Sequence, residues 1–129
     1  MVGIVIVSHS NLVAKGVKEL ALQMSPEVNI AEAGGTFDGR IGTDISKITD
    51  AIETVYSDSG VLILFDLGSA FMNTEMAIEF LDDAMKDNIE IVDAPLVEGA
   101  ITAAVEASMN KSLLDIKEVL KPMALNKMP

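Results

Sequence analysis

The only histidine of the chain, His9, stands where an apolar segment gives way to polar residues. The preceding residues 2–7 (VGIVIV) are β-branched and continuous, which is typical of a strand buried on both faces. Ser8 and Ser10 supply hydroxyl groups, and a helix that begins after them would present free N–H groups to an anion. An imidazole in this place could carry a phosphoryl group. A lone histidine is more often a structural or surface residue, so both interpretations stand at this point.

Asp66 is the best-placed carboxylate to act with His9, because it follows a second continuous apolar segment, residues 61–65 (VLILF). A carboxylate that accepts the N–H of one ring nitrogen fixes the tautomer of a histidine and raises the basicity of the other nitrogen. If the two apolar strands are neighbours in a parallel sheet, we expect contact between His9 and Asp66. An aspartate here is equally typical of a turn or a helix N-cap.

Weaker candidates lie in the glycine-rich segment 34–42 (GGTFDGRIG). Gly35 and Thr36 could bring backbone N–H groups close to an anion, and a flexible crossover turn explains them equally well. Arg40, the only arginine, could neutralise a phosphate or meet a carboxylate of a partner. A loop arginine is more often simply solvated.

Other kinds of site find little support. One histidine and no cysteine leave no thiolate or multi-histidine metal site, and we predict no bound metal and no cofactor. Carboxylates alone could hold magnesium, and that alternative stays open. A receiver-type aspartyl-phosphate site needs an acidic pair after the first strand, where this chain has Ser8, His9 and Ser10. The segment Gly68-Ser69 lacks the nucleophile-elbow pattern of serine hydrolases, and one Tyr with no Trp disfavours a flavin or nucleotide site.

The elements that must position these residues alternate between strand-like and helix-like periodicity. Strands are predicted at residues 2–7, 28–33, 61–65 and 89–92, the last polar enough to lie near an edge. Helices are predicted over about 11–24, 45–55, 96–109 and 113–121, and a further helix follows the third strand and extends to about residue 85. In the third helix the apolar spacing is set by Met72, Met76 and Phe80.

The order βαβαβαβαα predicts an α/β three-layer sandwich, with a central, mainly parallel four-stranded sheet and helices on both faces. In such sheets ligands bind outside the carboxyl ends of the strands. This end of the sheet, called the carboxyl rim here, is formed by residues 8–10, 34–36, 66–69 and 93–95. His9 and Asp66 both fall on it.

Length and charge bound the remaining possibilities. With 129 residues, half of them apolar, we predict one domain over residues 1–129. A net charge of −11 opposes binding to nucleic acid or to an anionic membrane surface. The apolar run at residues 1–7 is too short to span a bilayer and lacks the basic flank of a signal peptide. We therefore expect a cytoplasmic protein with no nucleic-acid and no membrane partner.

Several motifs in order resemble one protein family. They are VSHS at 7–10, AGGT at 33–36, DGRIGT at 38–43, DLGSA at 66–70, MN at 72–73 and DAPLVEGA at 93–100. The series is similar to the DhaM family, the phosphotransfer subunits of bacterial phosphoenolpyruvate-dependent dihydroxyacetone kinases. Their domain is similar to the mannose-type IIA domain of the sugar phosphotransferase system. The resemblance spans residues 1 to about 125.

The resemblance implies a phosphotransferase subunit whose His9 accepts a phosphoryl group from phospho-HPr. His9 would pass that group to ADP bound on the DhaL subunit, and DhaL with DhaK would phosphorylate dihydroxyacetone. Asp66 would be the aspartate that partners the histidine, and the family implies a homodimer. The phosphate-facing turns would be formed by Gly35, Thr36, Gly68 and Ser69.

Two departures from sugar-transporting relatives bear on the choice of pathway. Those domains usually have glycine after the histidine and a proline-containing turn after the aspartate, whereas this chain has Ser10 and Gly68-Ser69-Ala70. The difference favours the kinase system. Because the chain ends at Pro129 without fused HPr-like or enzyme I-like domains, we expect it to use separate HPr and enzyme I. The alternatives are a IIA domain of a mannose-type sugar permease and a noncatalytic flavodoxin-like binding module.

Overall fold

A computed structural model describes residues 1–128 and has a four-stranded parallel sheet at its centre. The strands are β1 (Gly3–Ser8), β2 (Ile30–Gly34), β3 (Val61–Phe65) and β4 (Ile89–Val92), in the spatial order β2-β1-β3-β4. Each neighbouring pair runs parallel. The two segments with continuous apolar sequence, β1 and β3, take the central positions because both of their faces are covered. The polar β4 lies at an edge, as predicted.

Helices connect the strands and cover the sheet. Their bounds are α1 (Asn11–Met24), α2 (Ile45–Val55), α3 (Gly68–Glu79), α4 (Asp83–Lys86), α5 (Leu96–Ser108) and α6 (Leu113–Leu120), with a 3₁₀ turn at Lys121–Met123. The hydroxyl of Ser10 accepts the N–H of Val13 at 3.2 Å and so fixes the start of α1 directly after His9. Among the helices of residues 1–128, none combines the length and apolarity needed to cross a membrane.

The helices form two layers, so the predicted three-layer sandwich is confirmed. Side chains that alternate along β1 divide between two cores: Ile4 and Ile6 pack with α1, α5 and α6, whereas Val5 and Val7 pack with α2 and α3. The same alternation in β3 sends Leu64 to the first core and Phe65 to the second. The central strands are thereby held from both sides, and the positions where they end are fixed.

The third helix ends earlier than the predicted residue 85. It begins at Gly68 and ends at Glu79, and the short α4 follows as a separate element. Its buried positions are Ala70, Thr74 and Ala77, whose small side chains let the helix approach the sheet closely. The larger side chains point to solvent, with exposed fractions of 57 % at Met72, 52 % at Met76 and 73 % at Phe80. The apolar spacing of Met72, Met76 and Phe80 therefore belongs to the exposed face of the helix, and small residues form the buried face.

Each edge strand carries one glutamate that is paired with a lysine of a neighbouring helix. Oε2 of Glu32 in β2 lies 3.0 Å from Nζ of Lys18 in α1. Oε2 of Glu90 in β4 lies 3.0 Å from Nζ of Lys117 in α6. Charged side chains in an edge strand discourage the pairing of further strands.

Strand register brings the polar ends of three strands together at the carboxyl rim. Ser8 is the register partner of Gly34, and Val7 is the register partner of Phe65. The start of α1 also lies tightly against the end of β2. A Cβ atom on Gly34 would come within 2.6 Å of the Ser10 carbonyl oxygen and 2.7 Å of the Ala14 Cβ.

We expect opposite effects on stability from adding a methyl group at two glycines near α1. Gly34→Ala should lower the free energy of unfolding by about 1–3 kcal/mol, because the new methyl group overpacks the β2–α1 contact. Gly16→Ala is the control: beyond its chain neighbours and the backbone of its own helix, no atom lies within 4 Å of its Cβ position, so higher helix propensity should raise stability by about 0.5–1 kcal/mol. Urea unfolding measures both changes, and equal effects would contradict the close approach at Gly34.

Candidate functional site

The structure brings His9 and Asp66 together at the carboxyl rim. Nδ1 of His9 lies 2.9 Å from Oδ1 of Asp66, and their side chains are 20 % and 21 % exposed. The parallel register of Val7 with Phe65 explains the contact, because β1 and β3 end side by side at the same edge of the sheet. We expected contact between His9 and Asp66 if their two strands were neighbours; β1 and β3 are neighbours, and the contact is present.

Besides the His9 ring, three further groups donate hydrogen bonds to the carboxylate of Asp66. The backbone N–H of His9 and the hydroxyl of Ser8 each donate to Oδ2 at 2.9 Å. The backbone N–H of Leu67 donates to Oδ1 at 2.7 Å. Burial, the largest single influence, acts to raise the pKa of Asp66, but these bonds and the His9 ring together hold the pKa below its ordinary value. Asp66 is therefore an ionised acceptor at neutral pH.

An ionised Asp66 determines the tautomer of His9. A carboxylate has no proton to donate, so Nδ1 must carry the proton and donate it to Oδ1. Nε2 then holds the lone pair, and the hydroxyl of Ser69 lies 2.7 Å from it, placed to donate. In this tautomer the ring nitrogen that faces outward is the one with the available lone pair.

Ser8 and Ser10 support the pair instead of facing a ligand. Ser8 is fully buried; its hydroxyl donates to Asp66 and accepts the backbone N–H of Ser10 at 3.0 Å. Ser10 uses its own hydroxyl to cap α1. Both residues were candidates for contact with phosphate, and their side chains are already engaged in holding the loop that carries His9.

The N-terminus of α3 gives the site a positive local potential. The helix begins at Gly68, no side chain caps it, and its first turn contains no acidic residue. Free N–H groups and the aligned peptide dipoles at such an end stabilise a negative charge. Because Ser69 belongs to this first turn and contacts Nε2, an anion attached to that nitrogen would lie close to the helix end.

The loop of residues 35–42 adjoins the site through its backbone. The N–H of Gly35 donates to the Ser8 carbonyl at 3.1 Å, and the N–H of Gly42 donates to the His9 carbonyl at 2.8 Å. Gly35 has a φ of 75°, in the left-handed region that favours glycine. The loop therefore fixes the backbone on both sides of the His9 peptide.

The side chains of that loop point elsewhere. The hydroxyl of Thr36 donates to Asp38 at 2.6 Å, and Nε of Arg40 lies 2.9 Å from the same carboxylate. The pKa of Asp38 is lowered by these contacts with Thr36 and Arg40. Arg40 is 81 % exposed, so its guanidinium is directed to solvent and the structure does not bring it to the imidazole.

Sequence reasoning missed Lys127. Its Nζ donates to the carbonyl of Phe65, the residue directly before Asp66, at 2.7 Å. Burial lowers the pKa of Lys127, and the negative charges of Asp93 and Asp66 act to raise it. A basic residue far along the chain gives no signal of this role by spacing alone. Among residues 1–128 no cluster of three or more acidic or histidine side chains could hold a metal ion.

Comparisons with known proteins agree on one family. The family model EIIA-man, described as PTS system fructose IIA component, matches residues 3–117. The chain is 43 % identical to "PEP-dependent dihydroxyacetone kinase 2, phosphoryl donor subunit DhaM" of Listeria innocua, over 87 % of this chain and 90 % of the relative. It is 38 % identical to "PTS-dependent dihydroxyacetone kinase, phosphotransferase subunit DhaM" of Lactococcus lactis, over 97 % and 98 % of the two chains. A DhaM of Escherichia coli is 43 % identical, and the match covers 26 % of that longer protein.

Solved structures share the fold. The crystal structure of a protein of unknown function, EF1359, superposes with a TM-score of 0.81 at 39 % identity and covers 94 % of both chains. A sigma-54 interaction domain protein from Enterococcus faecalis superposes with a TM-score of 0.71 at 16 % identity, which shows a common fold only.

We expect acid to remove the stability that Asp66 contributes. Its pKa is lower in the folded protein than the ordinary value of 3.8, so the contribution is present above pH 3.8 and disappears as pH falls through the lowered value. At pH 7 Asp66→Asn should unfold more easily by about 1–3 kcal/mol, the usual cost of losing hydrogen bonds to a charged group. Urea unfolding from pH 7 to pH 2 should show this difference narrowing below about pH 4. A difference in the free energy of unfolding between the two proteins that stays constant from pH 7 to pH 2 would contradict the lowered pKa of Asp66.

Proposed function

The chain belongs to the EIIA-man family and, within it, to the DhaM phosphoryl donor subunits, and from that membership we propose that it carries a phosphoryl group for a dihydroxyacetone kinase. The observation that carries the proposal is the outward lone pair of His9 Nε2, which Asp66 fixes through Nδ1. His9 is the only histidine, so this carrier role has one candidate nucleophile.

Phosphoryl uptake is a displacement at phosphorus. The lone pair of Nε2 attacks the phosphoryl group, an N–P bond forms, and the bond to the donor's leaving group breaks with its electron pair staying on the donor. The imidazole becomes positively charged and keeps its proton on Nδ1. Asp66 then faces a cationic ring at 2.9 Å, so the contact strengthens as the reaction proceeds, which is the requirement for catalysis.

Delivery reverses these events. An acceptor oxygen attacks phosphorus, the N–P bond breaks, and its electrons return to Nε2. HPr is the proposed donor, and ADP held on a DhaL subunit that works with DhaK is the proposed acceptor. The hydroxyl of Ser69, at 2.7 Å from Nε2, and the first turn of α3 would contact the phosphoryl oxygens during both steps. Thr36 and Arg40 belong to the surface that a partner would meet, whereas Gly35 is buried.

Local charge differs from the overall charge of −11. The free N-terminus of α3 and the ammonium of Lys127 lie at the same carboxyl rim as Nε2, whereas the sole arginine, on the adjoining loop, is paired with Asp38. These positive groups favour a phosphoryl dianion where the chain as a whole disfavours one.

A second function, delivery to the IIB domain of a sugar permease, is favoured by the description of the matching family as a fructose IIA component. The carrier chemistry at His9 would be the same. The two functions differ only in the acceptor, so acceptor assays separate them.

A homodimer is also proposed. The exposed side chains of Met72, Met76 and Phe80 form an apolar stripe along successive turns of α3. Large exposed apolar patches mark contact surfaces. An apolar stripe is complementary to itself, which suits the two-fold contact between identical chains.

Replacement of His9 by Gln should abolish phosphorylation by phosphoenolpyruvate, enzyme I and HPr, because glutamine has no nucleophilic ring nitrogen. Asp66→Asn should slow it by about 10²–10⁴-fold through loss of the positioned acceptor. Acid-labile phosphate on the protein is the measurement. Asp58→Asn, a matched change in the exposed turn at the opposite end of the sheet, should leave the rate unchanged.

Phosphorylated protein mixed with ADP-loaded DhaL should lose its phosphate and form ATP. Discharge to a mannose-type IIB domain without discharge to DhaL would replace the kinase proposal by the permease one. Persistent phosphorylation of His9→Gln would reject the carrier site altogether.

Light scattering should give twice the chain mass of 13.7 kDa at micromolar concentration. Met76→Lys should shift the protein to the monomer, because a charge buried in an apolar contact is unfavourable. Leu114→Lys is the control, since Leu114 is 64 % exposed on α6, on the other face of the sheet. A monomeric wild-type protein would exclude the dimer, and an unaffected Met76→Lys dimer would place the contact elsewhere.

A further inference from the structure

Residues 124–128, called the strap here, cross the carboxyl rim beside the site. The carboxylate of Asp93, which follows β4, accepts the backbone N–H of Leu125 at 3.2 Å and that of Lys127 at 2.8 Å. These bonds hold the backbone of the strap against the end of β4. Asp93 therefore anchors a later segment of the chain.

Lys127 extends the same connection to β3. Its Nζ donates to the carbonyl of Phe65 at 2.7 Å and to the carbonyl of Ala94 at 2.8 Å. The ammonium also lies 4.7 Å from the centroid of the Phe65 ring, within the range of a cation–π contact. One side chain thus joins the ends of two neighbouring strands.

The Phe65 carbonyl belongs to the same planar peptide unit as the backbone nitrogen of Asp66. A hydrogen bond that fixes the direction of this carbonyl also fixes the plane from which the Asp66 side chain leaves. Oδ1 of Asp66 must meet Nδ1 of His9 at 2.9 Å, and a shift of about 1 Å in such a group can cost on the order of 100-fold in rate.

The strap also approaches the helix end that faces Nε2. A Cβ atom on Gly68, the first residue of α3, would lie 3.2 Å from the carbonyl oxygen of Lys127. The strap therefore borders both parts of the site, Asp66 on one side and the first turn of α3 on the other.

Electrostatics are consistent with this placement. Burial lowers the pKa of Lys127, whereas attraction by the carboxylates of Asp93 and Asp66 acts to raise it. The ammonium is thus close enough to interact with Asp66 without forming a direct ion pair that would compete with His9. A positive charge in this place favours the ionised carboxylate on which the Nδ1–H tautomer depends.

We propose that Lys127 is a positioning residue of the site: it fixes the Phe65–Asp66 peptide and, with its charge, keeps Asp66 in place as the acceptor of the His9 Nδ1 proton. The proposal rests on the carrier function for its kinetic consequence. Its structural consequence, the tautomer of His9, can be measured without any phosphoryl transfer.

The test compares Lys127→Met with Lys127→Arg in the full chain. Long-range ¹⁵N–¹H NMR spectra report the ring protonation of His9, and a single histidine gives a single set of signals. Lys127→Met should lose part of its Nδ1–H population at neutral pH and take up phosphate from HPr up to about 100-fold more slowly, the cost of a displacement of about 1 Å at a reacting group. Lys127→Arg keeps the charge and donors and should recover most of both properties.

Lys121→Met is the matched control, because it removes an exposed lysine from the same region and should leave spectrum and rate unchanged. Asp93→Asn weakens the anchor of the strap while leaving Lys127 in place, and it should shift the spectrum in the same direction. It replaces Lys127→Met as the decisive variant if that protein does not fold.

Unchanged His9 signals in Lys127→Met would overturn the proposal, whatever the rate, since a slow variant with the original tautomer has lost something other than positioning. If the wild-type protein takes up no phosphate, the carrier function fails, and the spectra alone still decide whether Lys127 positions the pair.

Discussion

A hydrogen bond of 2.9 Å between Nδ1 of His9 and Oδ1 of Asp66 determines that Nε2, the ring nitrogen that faces outward, carries the lone pair of the only imidazole. This bond needs an ionised carboxylate in a partly covered place, and several donors supply the necessary stabilisation. Ser8, the His9 backbone and the Leu67 backbone all donate to Asp66. The rest of the structure keeps these donors within hydrogen-bonding distance of Asp66, since each hydrogen bond would break if the strand ends moved apart.

The fold meets this requirement because His9 and Asp66 directly follow the two central strands, β1 and β3. Both β1 and β3 are buried along their length and packed by helices on both faces, so this packing fixes the positions at which they end. Close backbone approach adds to this rigidity. Gly34 allows α1 to start directly against β2, and Gly42 donates to the carbonyl of His9 itself. The imidazole is thus held by the backbone of its loop as well as by the side chains of Asp66 and Ser69.

The fold could be predicted because it depends on local signals: continuous β-branched segments mark buried strands, and alternating strand and helix periods predict a parallel sheet. Such a sheet gathers the residues after each strand at one rim, so His9 and Asp66 were both predicted to lie there. Their direct contact requires that β1 and β3 are neighbours, and the strand order has no local signal in the sequence. The outward face of α3 could not be predicted, because Met72, Met76 and Phe80 repeat with helical spacing whichever way they point. Lys127 escaped for a different reason: it reaches the carbonyl of Phe65 across 62 positions of sequence, and a contact between a side chain and a backbone atom leaves no residue pattern at either end.

The paired glutamates of the edge strands have a consequence for how the sheet ends. Surface ion pairs of this kind contribute little to stability, commonly about 0–1 kcal/mol, so Glu32 with Lys18 and Glu90 with Lys117 matter more for what they prevent. If a strand from another molecule paired with β2 or β4, the glutamate in the middle of that edge strand would lose part of its hydration. Extension of the sheet by strand addition is therefore opposed at both of its edges, whereas its helical faces stay open to other proteins.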